Sequence, residues 1–315
     1  MALLEAQPVL ATTNVFQHGD IECQPLHVDP SSTSSPPKPL LIFTPIVAAK
    51  YPVILFCHGF CLATSGYSNL FNHIASHGYV VVAPQFCLNC EWMPMMSYCE
   101  VKCAGDVADW VAEKLQSVLP ENVIPNLDQF VMAGHSKGGN TAFAVALGHA
   151  KTKLNISALV GVDPVGGLNK YCKTYPWILK GQAGSFKLTM PVAIIGTGLG
   201  PEKADYCCSQ PCAPEGVNHE NFFFESNPPC AYFVAKEYGH MDMLDDSLGV
   251  IGKVASCLCK NGTGAKDCMR RTVGGLIVAF LRAHLDLRTH DLDAIVANPS
   301  LAPATLHPAK YIKAP

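Results

Sequence analysis

The sequence contains few charged residues and no strongly charged stretch. Asp, Glu, Lys and Arg make up 15% of the 315 residues, and 22 basic residues against 25 acidic ones give a formal net charge of −3. The lysines and arginines are scattered, so the basic clusters typical of nucleic-acid-binding proteins are missing. We therefore expect no nucleic-acid partner.

The sequence also lacks a hydrophobic run long enough to span a membrane. The strongest run, Val273–Leu281, is far shorter than the roughly 20 residues that a transmembrane helix needs, and it predicts a buried helix instead. No lysine or arginine precedes Lys38, so we expect neither a secretory signal nor an arginine-rich transit peptide. These features predict a soluble, intracellular protein.

Although no secretory signal is evident, the chain has 15 cysteines. In an intracellular protein we expect most of them to be reduced thiols. Cys57 falls in an apolar strand pattern, and Cys257 and Cys259 fall in a helical one, where a free cysteine packs as a small hydrophobe. One or two oxidised pairs in the polar loops are the alternative.

The order of apolar segments predicts an α/β protein. Two antiparallel strands, at residues 15–28 and 40–47, precede an alternation of buried strands and helices. This order favours a mostly parallel central sheet with helices on both faces. Residues 1–12 are expected to be disordered, and residues 13–315 to form one domain, because no repeat or linker divides them.

The later segments can be assigned in the same way. The predicted buried strands cover residues 51–57, 79–84, 130–134, 158–163, 191–196 and 231–235, the last strand of the sheet. The predicted helices cover residues 67–77, 104–119 and 272–284. Residues 197–229 are expected to form a long loop, and a Pro-rich end follows the last helix.

The stretch Gly134–Gly138 has the G-x-S-x-G pattern of a nucleophile elbow, with a strand pattern before it and a helix pattern after it. A serine on such a turn projects its hydroxyl from the sheet, and only small neighbours let the chain bend so tightly. The pattern predicts a single-domain α/β-hydrolase fold with Ser136 as the nucleophile. A glycine-rich turn without a catalytic role is the alternative.

His240 is the predicted general base. In this fold the triad follows the order serine, acid, histidine, and the histidine follows the last strand. His240 comes directly after residues 231–235, whereas the competing His219 lies in a loop before that strand and His284 lies within a helix pattern.

Asp163 is the predicted acid of the triad. The usual position, the loop at residues 196–200, has no carboxylate. Asp163 ends the preceding strand, at the sheet edge where catalytic groups collect in α/β proteins. Glu202 and Asp205 are the alternatives.

These residues suggest a division of roles. His240 would accept the Ser136 proton and return it to the leaving alcohol, while Asp163 would hold the imidazole. The oxyanion requires backbone N–H donors, which we expect from Lys137, after the nucleophile, and from Phe60, in the loop after residues 51–57. No cofactor and no metal is expected.

The cysteine-rich stretch at residues 87–103 indicates two other hypotheses. Two cysteine pairs, Cys87/Cys90 and Cys99/Cys103, resemble the ligand pairs of a structural zinc site. The gap between the two pairs is shorter than is usual in such sites. The aromatic and methionine residues of this stretch could form an adaptable apolar lid or a core-packed loop. A nucleophilic Cys57 or Cys61 is the weakest hypothesis, because neither residue lies on an elbow.

Several blocks, which lie in order from about Pro36 to the C-terminus, carry a family resemblance. They are residues 72–79, 134–144, 161–165, 196–200, 212–220 and 238–246. Together they resemble the plant chlorophyllases, which hydrolyse the ester between phytol and the chlorophyll macrocycle with a serine triad and without a metal. The triad motifs of that family fall on Ser136, Asp163 and His240. The resemblance implies chlorophyll or a related phytylated pigment as substrate, a chloroplast location and transient membrane contact.

Two features depart from that family. Its elbow usually has arginine where this chain has Lys137, which keeps the charge but loses a rigid fork of donors. The stretch at residues 87–103 also differs from the expected loop with Pro and Gly.

We predict a chlorophyllase-type carboxylic-ester hydrolase. The alternatives are a general lipid or xenobiotic esterase, a hydrolase-fold protein that binds an apolar ligand without turnover, and a cytosolic location.

Overall fold

The computed structural model describes residues 12–86, 98–204 and 209–314. The strands are β1 (Cys23–Val28), β2 (Leu40–Pro45), β3 (Ala49–Cys57), β4 (Val80–Pro84), β5 (Val123–His135), β6 (Ile156–Val162), β7 (Gly167–Asn169), β8 (Cys172–Lys173), β9 (Val192–Thr197), β10 (Cys230–Ala235) and β11 (Leu306–Ile312). The helices are α1 (Ser68–Ser76), α2 (Tyr98–Lys114), α3 (Lys137–Ala146), α4 (His219–Glu225), α5 (Val250–Leu258), α6 (Lys266–Leu285) and α7 (His290–Ala297).

Within these residues one sheet has the strand order β1-β2-β4-β3-β5-β6-β9-β10-β11, and β7 and β8 form a separate hairpin. The six strands from β4 to β10 are mutually parallel, whereas β1, β2 and β11 run antiparallel to their neighbours. The central strands are continuous apolar runs because both faces of the sheet are covered. Helices α1, α6 and α7 pack on one face, and α2, α3 and α4 pack on the other. The predicted fold class, α/β with a mostly parallel sheet, is confirmed.

The edges of the sheet differ from the prediction. β1 begins at Cys23 rather than at residue 15, because the preceding segment turns onto α1, where the Val15 carbonyl lies 2.8 Å from His73 Nε2. β10 is not the last strand, since the tail adds β11 beside it. Pro308 is tolerated in β11 because this strand lies at the edge of the sheet.

The helices also differ from the prediction in their bounds and number. α2 begins at Tyr98 and ends at Lys114, earlier than predicted at both ends. α4 lies within residues 197–229, which were expected to form a loop, and α7 follows α6 without having been predicted. The apolar run Val273–Leu281 is buried within α6, as expected. None of the helices in the described residues is both long and apolar enough to cross a membrane.

The N-terminal segment and Cys259 can also be compared with their predictions. The segment predicted to be disordered lies outside the described residues except for Thr12, whose carbonyl oxygen lies 3.0 Å from His290 Nε2. Cys259 is not the free, packed thiol that we expected, because it forms a disulfide with Cys212. The two residues are 47 positions apart, so only the packing of the loop before α4 against the end of α5 brings them together.

Gly138 sets how closely the start of α3 can approach the end of β3. A Cβ atom at Gly138 would overlap the carbonyl oxygens of Cys57 and His58. Because backbone cannot move aside as a side chain can, we expect Gly138→Ala to lower the free energy of unfolding by about 3 kcal/mol. Guanidinium unfolding followed by circular dichroism measures this loss.

The matched control is Gly249→Ala, since a Cβ atom at Gly249 would meet nothing within 4 Å. This control should cost only about 0.5 kcal/mol, for the exchange of a helix N-cap residue. Equal losses in the two variants would contradict the prediction.

Candidate active site

Ser136 occupies the turn between β5 and α3. Its φ of 57° and ψ of −127° fall in a region that residues other than glycine rarely adopt. The Ser136 N–H donates to the Val162 carbonyl at 3.0 Å, and the Ser136 carbonyl accepts from the N–H groups of Asn140 and Val165 at 3.2 and 3.0 Å. These bonds hold the strained conformation in place. The serine therefore has the strand–turn–helix setting that the motif requires.

The fold brings Ser136, Asp163 and His240 into one hydrogen-bonded row. His240 Nε2 lies 2.8 Å from Ser136 Oγ, and His240 Nδ1 lies 2.6 Å from Asp163 Oδ2. All three side chains are buried. A neutral imidazole that donates its Nδ1–H to the carboxylate presents the Nε2 lone pair to the serine hydroxyl. The arrangement can therefore remove the serine proton.

Asp163 is fully buried at the end of β6, and its surroundings favour the ionised form. The carboxylate accepts from the Thr197 N–H at 3.1 Å and from Thr197 Oγ1 at 2.6 Å. Burial raises the pKa of Asp163, but the hydrogen bond and charge of His240, with Thr197 and His219, outweigh it and lower the pKa to about 2. Thr197 ends β9, within the stretch 196–200 that was predicted to be a loop and in which only the missing carboxylate was noted. Its contact with Asp163 was therefore missed.

The two competing histidines do not reach the serine. His219 begins α4 instead of lying in a loop, and its Nδ1 is 2.9 Å from the Tyr232 hydroxyl. Its Nε2 is 3.9 Å from Asp163 Oδ1, so it lies beside the acid. His284 packs in α6 between the rings of Phe280 and Tyr311.

The other rival groups are less suited to catalysis. Glu202 is exposed, and Asp205 lies outside the described residues. Cys57 is fully buried in β3, and this burial raises the pKa of its thiol, whereas a nucleophilic cysteine needs a lowered pKa. Cys61 lines the same cavity as Ser136 but not on an elbow.

The zinc and lid hypotheses fall largely on residues that the structure does not describe. Cys87 and Cys90 lie outside the described residues, as do Trp92 and the neighbouring methionines. Across residues 12–86, 98–204 and 209–314, no group of three or more His, Cys, Asp or Glu side chains is placed to hold a metal ion.

Phe60 and Lys137, the two predicted oxyanion donors, line the same cavity as Ser136. The Lys137 ammonium lies 5.5 Å from the centre of the Phe60 ring, so the two residues adjoin. The loop of Phe60 is held at its base, because the Phe86 N–H donates to His58 Nε2 at 3.0 Å. Both residues therefore line the cavity together with Ser136, and the role of their backbone N–H groups stays a prediction.

Lys137 also forms a buried ion pair that the sequence did not reveal. Its Nζ lies 2.9 Å from Glu100 Oε2, and both side chains are almost fully buried. The second Glu100 oxygen accepts from Thr141 Oγ1 at 3.0 Å. Glu100 belongs to α2, and no motif or spacing connects it to the elbow. The Lys137 cation, next to Ser136, is therefore neutralised from within the protein.

A second buried network joins the three segments of the site. The Tyr67 hydroxyl accepts from the Gly59 N–H at 3.0 Å and lies 2.8 Å from His135 Nδ1, while His135 Nε2 lies 2.9 Å from the His240 carbonyl oxygen. A carbonyl can only accept, so His135 donates from Nε2 and Nδ1 accepts from Tyr67. Burial, followed by the charge of His240, lowers the pKa of His135 to about 3, which favours this neutral form. The loop of Phe60, the elbow and the loop of His240 are linked through two side chains.

The site opens into a cavity of about 880 Å³, near the upper end of the range for small-molecule sites. Its lining is mainly apolar and includes Leu62, Val165, Leu168, Met241, Val254 and Leu258. A second cavity of about 310 Å³ adjoins it and shares Cys61 and Leu62. Such a lining suits a large apolar substrate.

Comparison with known proteins agrees with this geometry. The family model described as Chlorophyllase matches residues 11–313. The chain belongs to the chlorophyllase family. Chlorophyllase-1 of Arabidopsis thaliana is 46% identical to this chain, over 99% of this chain and 98% of the length of that relative. Chlorophyllase-2 of the same plant is 44% identical over 88% and 90% of the two chains. Chlorophyllase-1, chloroplastic, of Citrus unshiu is 42% identical over 99% and 94%.

The predicted family resemblance and the predicted enzyme class, an ester-bond hydrolase, are confirmed by these matches. In this chlorophyllase-family chain the roles of the individual site residues stay predictions.

The hydroxyl of Tyr67 is expected to stabilise the site region. Tyr67→Phe leaves the Gly59 N–H and His135 Nδ1 buried without their partner, and we expect a loss of about 2 to 3 kcal/mol in the free energy of unfolding. Denaturant unfolding measures the loss. The matched control is Tyr171→Phe, because Tyr171 is 87% exposed. A loss of the same size in Tyr171→Phe would show that the Tyr67 hydroxyl has no special role.

His135 should also make the stability depend on pH. The unfolded chain takes up a proton at His135 near pH 6.5, whereas the folded chain keeps this residue neutral down to about pH 3. Stability is therefore present above pH 6.5 and falls as the pH drops towards 3. This residue alone should remove about 2 kcal/mol of unfolding free energy between pH 7 and pH 5.

The test compares the wild type with His135→Gln, which has no titrating group at this position. Denaturant unfolding at both pH values should show a smaller acid-induced loss in the variant, by about 2 kcal/mol. Equal losses in the two proteins would refute a neutral, buried His135.

Proposed function

We propose that the chain hydrolyses the ester that joins phytol to chlorophyll or a related pigment, giving chlorophyllide and phytol as a step of chlorophyll catabolism. The observation that carries this proposal is the row Ser136–His240–Asp163, with contacts of 2.8 and 2.6 Å, at the wall of a large apolar cavity. The row supports ester cleavage, and membership of the chlorophyllase family supports the pigment.

The proposed reaction begins with proton transfer from Ser136 Oγ to His240 Nε2 as the oxygen attacks the ester carbonyl carbon. The backbone N–H groups of Phe60 and Lys137 stabilise the resulting oxyanion. His240 then gives its proton to the phytol oxygen as the ester C–O bond breaks. The pigment acid stays bound to Ser136 as an ester.

Water completes the cycle. His240 removes a proton from a water molecule that attacks the acyl-enzyme, and Ser136 leaves with that proton as chlorophyllide is released. Asp163 stays ionised throughout, in keeping with its lowered pKa of about 2, and stabilises the imidazolium each time it forms.

The apolar lining supports a phytylated substrate, since a phytyl chain carries no polar group that needs a partner. The Lys137 charge is taken up by Glu100 at 2.9 Å, so the elbow cation would act through position and not as a carboxylate receptor. The same apolar lining equally favours a second function, hydrolysis of lipid or xenobiotic esters.

We further propose that this hydrolysis takes place in the chloroplast. Support comes from the Citrus unshiu relative, whose name includes the word chloroplastic. The cytosol is the alternative compartment. Microscopy of the chain fused at its C-terminus to a fluorescent protein would decide between the two compartments.

The test of the proposed triad is the hydrolysis of chlorophyll a and of a p-nitrophenyl ester. Ser136→Ala should abolish turnover of both esters, and Asp163→Asn should lower kcat by about 10⁴-fold because the imidazole loses its orienting carboxylate. The matched control is Glu202→Gln, which changes an exposed acid and should leave kcat unchanged. Pigment binding without turnover by the wild type would favour a binding protein, and preference for a lipid ester over chlorophyll a would favour the general esterase.

A further inference from the structure

Glu100 is a buried carboxylate that the proposed reaction does not use. It lies near the start of α2, is 6% exposed and contacts two residues of α3. Its Oε2 lies 2.9 Å from Lys137 Nζ, and its Oε1 accepts from the Thr141 hydroxyl at 3.0 Å. Residues four positions apart lie on the same face of a helix, so Lys137 and Thr141 hold the carboxylate together. The negative charge of Glu100 is thereby fixed against the Lys137 ammonium.

Stability alone does not account for this ion pair. Taking two charges out of water is costly, and a buried pair is often no more stabilising than apolar residues of the same volume. Lys137 has a place in the site, however, because its ammonium lies 5.5 Å from the centre of the Phe60 ring. A lysine here supports the loop of a predicted oxyanion donor, but it also brings a positive charge to the wall of the active site.

Lys137 is the main cationic group at the cavity. Among the described residues that line the cavity, it is the only lysine or arginine, and no Asp or Glu is present. His240 can also carry a positive charge there, but only while it holds a proton. Charges attract strongly where water does not screen them. A carboxylate in this mainly apolar cavity would therefore be drawn to Lys137, unless another negative charge already compensates it.

The proposed reaction produces such a carboxylate. The ester is neutral, whereas the acid product is ionised at neutral pH, because carboxylic acids have pKa values of about 4. This acid is released at Ser136, next to Lys137. Hydrogen bonds between an ammonium and a carboxylate are much stronger than bonds between neutral groups. A cation here without a compensating charge would bind the product more tightly than the substrate and slow its release.

We propose that Glu100 is a positioning residue that keeps the Lys137 ammonium from binding carboxylates and so lets the acid product leave. Glu100 does not line the cavity, so it acts through Lys137. The ligands that it excludes are apolar molecules with a carboxylate, such as the pigment acid left by hydrolysis, whereas neutral esters enter as before. The role in product release rests on the proposed function.

The experiment measures how two ligands with the same apolar body, 4-phenylbutyrate and its neutral amide, inhibit hydrolysis of a p-nitrophenyl ester. Glu100→Gln keeps the shape of the side chain but removes its charge. We expect the inhibition constant of the carboxylate to fall by about tenfold or more in this variant, and that of the amide to stay unchanged. A purely structural role would change both constants alike. That result, or a carboxylate constant equal to the wild-type value, would overturn the proposal.

Two further variants test whether the charge itself is responsible. Glu100→Gln/Lys137→Met removes both charges and should restore the wild-type ratio of the two inhibition constants. The matched control, Glu113→Gln, removes a carboxylate that belongs to the same helix and pairs with the exposed Lys153, and it should leave both constants unchanged. A double variant that still binds the carboxylate tightly, or a control that gains this affinity, would overturn the proposal.

Thr141→Val serves as the test if Glu100→Gln does not fold, which circular dichroism would show. This variant keeps the shape of the side chain but removes the hydroxyl that holds Glu100 Oε1. Because the carboxylate can then turn away from Lys137, we expect the inhibition constant of 4-phenylbutyrate to fall by about threefold. An unchanged ratio of the two constants in Thr141→Val would in that case overturn the proposal.

Pigment binding separates this proposal from the proposed function. In Ser136→Ala, which lacks the nucleophile, adding Glu100→Gln should tighten the binding of chlorophyllide a by about tenfold or more and leave that of its methyl ester unchanged. Pigment fluorescence measures both affinities. If the wild type hydrolyses esters but Glu100→Gln gains no affinity for the acid, only this proposal fails. If no ester is hydrolysed but the acid binds more tightly, the proposed function fails and the exclusion of carboxylates by Glu100 is supported.

Discussion

The site depends on a contact between backbones that only glycine allows. Because Gly138 has no side chain, α3 begins directly against the carbonyl groups of Cys57 and His58 at the end of β3. This closeness makes the turn at Ser136 sharp, and the turn carries the serine hydroxyl above the sheet edge. The same contact places the end of β3, and therefore the Phe60 loop, beside Ser136. One missing Cβ atom thus positions two different parts of the site.

Buried polar groups then fix the orientation of each catalytic candidate. Asp163 is held by Thr197 and by His240, so its negative charge is stabilised although the side chain is fully buried. His135 and Tyr67 connect the His240 loop to the Gly59 loop, and the neutral state of His135 keeps a second positive charge away from His240. Polar groups oriented by hydrogen bonds before substrate binds lower the reorganisation that a reaction requires.

The lysines near the site fall into two groups with opposite surroundings. Lys137 is buried and paired with Glu100, so it contributes packing and position without a net charge in an apolar cavity. Lys170 and Lys180, between β6 and β9, are exposed, so their charge reaches solvent.

The sequence by itself determined the fold class, the elbow at Ser136 and the choice of Asp163 and His240 as triad candidates. These follow from local patterns, since strand order, glycine spacing and the position of a residue at a strand end are all read along the chain. Only the tertiary structure decided the partners of those residues, such as Thr197 for Asp163, Glu100 for Lys137 and Cys212 for Cys259. These pairs join segments far apart in sequence, and their residue types are common enough that no spacing distinguishes them. The edge strand β11 was missed for the same reason, because a short, proline-containing segment becomes a strand only when β10 offers it unpaired backbone groups.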